Sequence, residues 1–314
     1  TARIGTAIQG IAHAEASFQG ALAYARERRS MRAVTGKKEP DANADALIWH
    51  ADVRRMLLTQ KAIAEGGRAM IYAAAQTADL MVDAARRQDR ATQDKHDDTL
   101  GFYTPILKGF LTEMGLEAAN LGMQVFGGHG YIHEHGMEQI ARDARIATLY
   151  EGTTGIQALD LLGRKVLLGT RGKCVRDFSR IMLRSAKAHW LAHGSIGRMA
   201  RSTAKRAIEW NLLTLRIMRR VGKDRDLVGS ASVDYLMYSG YVMMAHFWAR
   251  QAAVAQTFLR NGKGAESAEF YRAKIQTAEF YFDRLLPRAD AHRKSALAPT
   301  RSLMQMGNGD FAFS

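Results

Sequence analysis

The chain is poor in the residues that interrupt helices and in those that cross-link chains. Only four prolines and one cysteine, Cys174, occur among its 314 residues. A single cysteine excludes a disulfide framework and a cysteine-ligated zinc site within one chain, and it is typical of the reducing cytoplasm, where we expect this protein. The sequence also lacks any run of about 18 uncharged apolar residues, so it predicts no transmembrane segment.

Helix-forming residues dominate what is present. The composition is 47% hydrophobic, and long stretches rich in Ala, Leu, Met and Arg predict a nearly all-α globular fold. Apolar spacing predicts a first helix that ends near the basic cluster "ARERRSMR", then helices over about 47–87, 100–126 and 137–150. A further helix is predicted to start after Thr153 or Thr154, either of which can cap it. Short connections between these helices predict an antiparallel bundle.

A glycine-rich segment near the middle of the chain predicts a boundary between two units. The segment "GTRGKC", residues 169–174, has two glycines and two basic residues and is typical of a hinge. Long helical patterns over about 230–261 and 264–288 follow it and predict a second helical bundle. We therefore expect one domain over residues 1–170 and a basic helical extension over residues 171–314.

Two apolar features of this second half predict contacts. The segment "RAIEWNLLTLRIMRRVG" has the helical period, and we expect one of its faces to be buried. The tail lacks a sustained period, but its terminal phenylalanines, Phe311 and Phe313, are expected to dock on a surface. The face expected to be buried consists of Ile208, Leu212, Leu215 and Val221.

The excess of positive over negative charge is confined to the second half of the chain. Residues 1–170 contain 20 Lys and Arg against 20 Asp and Glu, whereas residues 171–314 contain 25 against 11 and carry the whole net charge of +14. A basic surface attracts nucleic acid, anionic lipid or an acidic protein. The alternative is a solvated basic face without a dedicated partner. The stretch "RIMRRVGKDR", residues 216–225, is the densest in positive charge.

One acid stands at a break between two helical patterns. In "IATLYEGTTGIQ", Glu151 follows an apolar and aromatic run and precedes Gly152. A carboxylate at a helix end is more often a capping or solvated residue. Here the apolar run predicts a partly apolar pocket that would favour a general base, and the next helix adds N–H groups suited to a developing negative charge. Glu151 is therefore a candidate catalytic base.

Three motifs, in their order and spacing, resemble the C-terminal helical domain of the acyl-CoA dehydrogenase flavoprotein family. They are "YARERRSM", "QVFGGHGY" and "ARDARIATLYEGTTGIQ", and the resemblance covers residues 1 to about 168. The basic extension after residue 171 resembles the subgroup with an additional C-terminal helical domain, which includes the 3-methylmercaptopropionyl-CoA dehydrogenases. Family members carry an N-terminal helical domain and a β-barrel domain ahead of this segment. The resemblance therefore implies that this chain is the C-terminal portion of such an enzyme and is inactive alone.

The resemblance implies oxidation of an acyl-CoA thioester to the 2,3-enoyl-CoA. Glu151 would remove the α-proton while the β-hydrogen leaves as hydride to FAD. In the family, the thioester oxygen accepts hydrogen bonds from the backbone N–H of this glutamate and from a flavin ribityl hydroxyl, which stabilise the enolate-like transition state. Tyr150 and Gly152 would line the acyl pocket. Arg3 precedes Arg28 by the spacing at which the family has an arginine near the active-site carboxylate.

Cofactor contacts carry over from the same motifs. Arg28 matches the arginine that contacts the FAD pyrophosphate of a neighbouring subunit. Gln124 and Gly128 match FAD contacts, and Thr153 matches a residue at the flavin phosphates or ribityl chain. The family also implies an electron-transfer flavoprotein as electron acceptor and a homo-oligomer, either dimer or tetramer.

Other classes of function stay open at this point. His129, His133 and His135 with Glu134 offer a cluster that could bind a metal. Some relatives of the family, the alkylation-response flavoproteins, carry a basic C-terminal domain that binds DNA, and the charge of the second half fits phosphate attraction. A third alternative is an oligomerisation module whose basic face docks on other domains or on a partner subunit.

Overall fold

The computed structural model describes residues 2–262 and 264–312, and these residues form helices and no strand. The prediction of an all-α fold is confirmed. Two π-helical segments, Asp160–Gly169 and Tyr281–Leu285, directly continue α6 and α10. The helices are α1 Ala2–Glu27, α2 Ala51–Arg86, α3 Arg90–Phe126, α4 Gly128–Tyr131, α5 Met137–Leu149, α6 Thr154–Leu159, α7 Lys173–Ala188, α8 Gly194–Val221, α9 Leu227–Asn261, α10 Ala268–Phe280, α11 Arg288–Ser295 and α12 Arg301–Met304.

The helix boundaries in the first half agree with the sequence pattern except at the start of α3. This helix begins at Arg90 rather than near residue 100. The Asp89 side chain caps it by accepting a hydrogen bond from the Thr92 N–H at 3.1 Å. An N-cap aspartate satisfies one of the free N–H groups of a helix, so a polar segment without an apolar stripe still forms helix here.

Helices α1 and α3 cross at two glycines. A Cβ added at Gly10 would lie 2.6 Å from the Leu111 carbonyl oxygen, and one added at Gly115 would lie 2.8 Å from the Gly10 Cα. No side chain fits between these backbones. The close approach places α1, which carries Arg3, directly against α3.

Helix α9 joins the second half of the chain to the first. Its Trp248 is fully buried and donates from Nε1 to the Ala62 carbonyl of α2 at 3.1 Å. A Cβ added at Gly66 of α2 would lie 2.5 Å from this indole nitrogen, and one at Gly240 of α9 would lie 2.7 Å from the Phe110 Cβ of α3. One hydrophobic core therefore runs through α2, α3 and α9, across the boundary predicted near residue 170.

The buried face of α8 differs from the expected one. Three of the four residues expected to face the core are exposed, Ile208, Leu212 and Leu215, whereas the fourth, Val221, is partly buried against the core. The face that packs inward instead carries Trp210, Leu213 and Ile217. Both stripes have the helical period, so spacing alone does not distinguish them. The large indole of Trp210 buries more apolar surface than any side chain of the other stripe, and this favours the observed orientation.

Of the two terminal phenylalanines expected to dock on a surface, Phe311 does not. Phe311 is 73% exposed, and Phe313 lies outside the described residues. Within residues 2–262 and 264–312, every helix is too short or too polar to cross a bilayer.

Candidate active site

The turn between α5 and α6 carries the candidate base. Helix α5 ends at Leu149, and α6 begins at Thr154 after the Thr153 side chain accepts a hydrogen bond from the Ile156 N–H at 3.4 Å. Glu151 has a φ angle of 58° and Gly152 one of 89°. A left-handed backbone at a residue with a Cβ costs on the order of 1 kcal/mol, so surrounding contacts must hold Glu151 in this conformation.

Two buried side chains bind the carbonyls of this turn. Gln157 donates from Nε2 to the Glu151 carbonyl at 3.0 Å and to the Gly152 carbonyl at 3.3 Å. Lys108 of α3 donates from Nζ to the Gly152 carbonyl at 2.7 Å and to the Thr148 carbonyl at 3.2 Å. The backbone on both sides of Glu151 is therefore anchored from inside the protein.

Arg3 lies in the network that supports the turn. Its Nη1 donates to Gln157 Oε1 at 3.2 Å and to Asp160 Oδ2 at 2.8 Å. Burial acts to raise the pKa of Asp160, but hydrogen bonds from Arg164 and Arg3 outweigh burial and lower that pKa below its ordinary value. Asp160 is therefore ionised at neutral pH. It holds Arg3, which in turn orients the Gln157 amide towards Glu151.

The Glu151 side chain points to the surface. It is exposed, and the described residues do not enclose it in the partly apolar pocket expected from the sequence. Tyr150 is 38% exposed, and its hydroxyl donates to Gln9 Oε1 of α1. Exposed apolar side chains flank the turn along the chain: Ile146, Leu149, Ile156 and Leu159. The acid thus projects from an anchored backbone beside an uncovered apolar surface.

The predicted cofactor contacts come from two segments that the fold brings together. Tyr24, near the end of α1, stacks on Phe126 at 4.0 Å between ring centroids, and its hydroxyl lies 2.9 Å from His129 Nδ1. These contacts bring the exposed Arg28 at the end of α1 to the loop that contains Gly128. A Cβ added at Gly128 would meet nothing within 4 Å, so its backbone faces open space.

A groove of about 690 Å³ connects the end of α3 with the start of α6. Gln124 lines one part of it, and Thr154, the residue after Thr153, lines another. Thr154 Oγ1 donates to Glu113 Oε1 at 2.5 Å. Val233 and Met237 of α9 form the opposite wall. Gln124 and Thr154, the first residue of α6, therefore border the same groove.

The histidines near this loop stack and hydrogen-bond. The His129 and His135 rings stack with centroids 5.1 Å apart, and His133 Nδ1 lies 3.4 Å from Glu138 Oε1. Across the part of the chain that the structure describes, no group of three or more His, Cys, Asp or Glu residues is arranged to hold a metal ion. The geometry does not favour the metal site considered from the sequence.

Sequence reasoning did not identify Lys108 or Gln157. Lys108 is a charged residue within the otherwise apolar segment "YTPILKGFL", and that interruption is a signal of a buried functional lysine. Gln157 follows Glu151 by six positions inside the recognised motif, and its type gives no indication that its amide turns back to the Glu151 carbonyl.

Comparison with known proteins assigns the family. The family model described as "Acyl-CoA dehydrogenase, C-terminal domain" matches residues 1–167, and one described as "Acetyl-CoA dehydrogenase C-terminal like" matches residues 176–307. The chain belongs to the acyl-CoA dehydrogenase family.

Two curated relatives match nearly the whole chain. A 3-methylmercaptopropionyl-CoA dehydrogenase of Ruegeria pomeroyi is 36% identical over 93% of this chain and 48% of its own length. The broad-specificity linear acyl-CoA dehydrogenase FadE5 of Mycobacterium tuberculosis is 28% identical over 99% of this chain and 51% of its own length. The chain thus spans about half the length of these relatives.

Solved structures share the fold. An acyl-CoA dehydrogenase from Bacillus anthracis, complexed with FAD, superposes with a TM-score of 0.71 at 14% identity and covers 99% of this chain and 50% of its own. The ACDH-11 protein of Caenorhabditis elegans, in complex with C11-CoA, has a TM-score of 0.63 at 14% identity, over 93% of this chain and 46% of its own. The helical arrangement over nearly the whole chain is therefore that of this family.

Proposed function

We propose that this chain is the catalytic C-terminal portion of an FAD-dependent acyl-CoA dehydrogenase in which Glu151 is the base. The observation that carries the proposal is the anchored turn. A solvent-facing carboxylate stands on a left-handed backbone whose carbonyls are bound from below by Lys108 and Gln157. Such strained, well-supported positions are concentrated at functional sites.

The reaction requires a base and a stabiliser for negative charge. Glu151 takes the α-proton from the acyl-CoA thioester, the α,β double bond forms, and charge accumulates on the thioester oxygen. The Glu151 N–H has no backbone acceptor among residues 2–262 and 264–312, so it is free to donate to that oxygen. Tyr150 and Gly152 are proposed to border the acyl chain. Arg3 is proposed to act on Glu151 indirectly, through its hydrogen bond to Gln157.

The residues proposed to contact the cofactor have chemistry suited to a dinucleotide such as FAD, and one of them, Gln124, lines the groove. When bound, FAD accepts the β-hydrogen as hydride. Arg28 offers an exposed guanidinium for the pyrophosphate. Gln124 offers an amide at the groove, and the open backbone at Gly128 admits a ligand close to the chain. Thr153 is the N-cap of α6, and the free backbone N–H groups in the first turn of a helix favour anionic groups.

Replacement of the base tests the proposal. We expect Glu151→Gln, in the protein expressed from its complete reading frame, to lower kcat for acyl-CoA oxidation roughly 10²- to 10⁴-fold, the usual contribution of a general base. The yellow absorbance of bound FAD should be retained. Glu134→Gln, a change at an exposed glutamate outside the turn, is the control and should keep the wild-type rate. An unchanged rate in Glu151→Gln would falsify the assignment.

The partners of the whole protein are further proposals. Acyl-CoA is the proposed substrate, and an electron-transfer flavoprotein is the proposed acceptor of the electrons. A homo-oligomer, dimer or tetramer, is proposed because large apolar side chains such as Ile208 and Leu212 of α8 are exposed. Light scattering on the complete protein measures the assembly, and reduction of added electron-transfer flavoprotein measures the acceptor.

A second candidate function is polyanion binding by the basic half. Four cationic side chains within ten residues at the end of α8 and just beyond are exposed: Arg216, Arg219, Lys223 and Arg225. Clustered exposed cations are the electrostatic feature of proteins that bind phosphate backbones. This observation supports non-specific attraction to nucleic acid, of the kind found in alkylation-response flavoproteins.

A further inference from the structure

Lys108 is a fully buried cation in the middle of α3. Its neighbours along the helix, Leu107 and Phe110, are also fully buried. A buried ammonium costs several kcal/mol unless it is well compensated, and an apolar residue of similar volume often replaces a buried charge without loss of stability. Packing alone therefore does not account for a lysine at this position.

The hydrogen bonds of Lys108 are directed at the two sides of Glu151. One accepting carbonyl, of Thr148, belongs to the last turn of α5, where helix carbonyls lack intrahelical partners. The other, of Gly152, follows Glu151 directly. A single Nζ thus bridges residues 148 and 152 and closes the turn from below. Both acceptors are neutral, so the positive charge itself is not consumed by an ion pair at these contacts.

The charge of Lys108 is compensated through space. Burial lowers the pKa of Lys108, and the carboxylates of Glu113 and Glu151 oppose that shift. From α5, Arg145 approaches the same region and donates to the Thr148 hydroxyl at 3.2 Å. Arg3 donates to both Gln157 and Asp160, and Arg164 binds the same Asp160, so two cations and one carboxylate lie next to Gln157. From α9, the apolar Leu236 packs at the next position of α3, Gly109.

We propose that Lys108 is a positioning residue for Glu151: its ammonium donates to the Thr148 and Gly152 carbonyls and so holds the left-handed turn at Glu151 and Gly152. This inference rests on the proposed role of Glu151 as base. The anchored backbone keeps the Glu151 N–H and side chain aimed at a bound thioester.

Two replacements test this anchoring. Lys108→Met has a side chain of similar volume without a donor, whereas Lys108→Gln keeps an N–H donor on a shorter, uncharged side chain. In the FAD-loaded protein from the complete reading frame, we expect Lys108→Met to lower kcat about tenfold or more with KM changed less than about threefold.

Hydrogen exchange supplies a readout independent of turnover. Amide exchange in the peptide that spans residues 148–157 should be faster in Lys108→Met and closer to wild type in Lys108→Gln. Lys61→Met is the matched control, because Lys61 is a partly buried helical lysine of α2 paired with Glu65, away from the turn. It should leave kcat and exchange at residues 148–157 unchanged.

The outcomes distinguish this inference from the proposed function. Loss of activity in Glu151→Gln together with wild-type kinetics and exchange in Lys108→Met overturns the role of Lys108 alone. Retained activity in Glu151→Gln overturns the proposed function whatever Lys108 does. Failure of both Lys108 variants to fold also overturns the inference, since Lys108 would then support the fold as a whole rather than the turn.

Discussion

Asp45 is a buried carboxylate that organises the loop after α1. Its side chain accepts hydrogen bonds from the backbone N–H groups of Ala33 at 2.8 Å and of Lys38 and Glu39 at 2.9 Å. The Ala33 N–H holds the pKa of Asp45 well below its ordinary value, and the other two N–H groups add to this effect against the opposing influence of burial. The same loop follows Arg28, the proposed pyrophosphate contact.

The low pKa of Asp45 predicts a pH-dependent contribution to stability. The folded-state pKa is depressed, so the contribution is complete above about pH 4, the unfolded value, and is lost as the pH falls towards the folded value. We expect Asp45→Asn to lower the urea midpoint at pH 7 and the difference from wild type to shrink between pH 4 and pH 3. Asp41→Asn, at an exposed position of the same loop, should match wild type throughout. A difference that is independent of pH would contradict the prediction.

At the scale of helices, the α1–α3 crossing depends on the absence of side chains. Because Gly10 and Gly115 meet backbone to backbone, either substitution must push the two helices apart. Arg3 of α1 and Lys108 of α3 both reach the Glu151 turn, so the spacing of these helices also sets the geometry of the candidate site.

Matched glycine variants test this crossing. Gly115→Ala is expected to lower the free energy of unfolding by roughly 1–3 kcal/mol, the usual cost of overpacking. Gly5→Ala, in the same pair of helices but with nothing within 4 Å of the added Cβ, should raise it by about 0.5–1 kcal/mol because alanine favours helix. Chemical denaturation measures both. Equal changes in the free energy of unfolding for the two variants would show that helix propensity, not the α1–α3 crossing, determines the effect of Gly115→Ala.

Helix α8 shows where a periodic pattern is insufficient. The pattern correctly predicts the helix, but it assigns the wrong face to the core. The stripe with Ile208 and Leu212 is exposed instead. Which of two apolar stripes is buried depends on the neighbouring helices, and the local sequence contains no information about them.

At the scale of the whole molecule, the net charge differs between the two halves of the chain, but the hydrophobic core is continuous between them. The net positive charge lies entirely in residues 171–314, whereas the core is shared by both halves through α9. The predicted domains 1–170 and 171–314 therefore differ in surface but pack on each other. The indole of Trp248 against α2 is one such contact.

The basic half predicts salt-dependent binding of polyanions. If the four exposed cations of residues 216–225 contact phosphates, the logarithm of affinity for duplex DNA should fall with log salt with a slope of roughly −3 to −4. Charge removal by alanine at Arg216, Arg219, Lys223 and Arg225 should abolish this dependence. Alanine at four exposed cations of the first half, Arg54, Arg55, Arg86 and Arg87, is the control. Absence of binding at low salt excludes this second candidate function.

The sequence by itself determined the helical class, most helix boundaries, the charge asymmetry and Glu151 as the acid at a helix break. These features depend on composition, period and capping, which are local properties of the chain. The family motifs added the roles proposed for Arg28, Gln124, Gly128 and Thr153.

Only the tertiary structure decided which distant residues meet. In the tertiary structure, Lys108 binds the turn that contains Glu151, and Arg3 donates a hydrogen bond to Gln157. Helix α8 buries the face that carries Trp210, and the hydrophobic core continues across the predicted domain boundary. Each of these is a contact between residues far apart along the chain. Such contacts depend on how helices pack, and no period or propensity of a single segment encodes them.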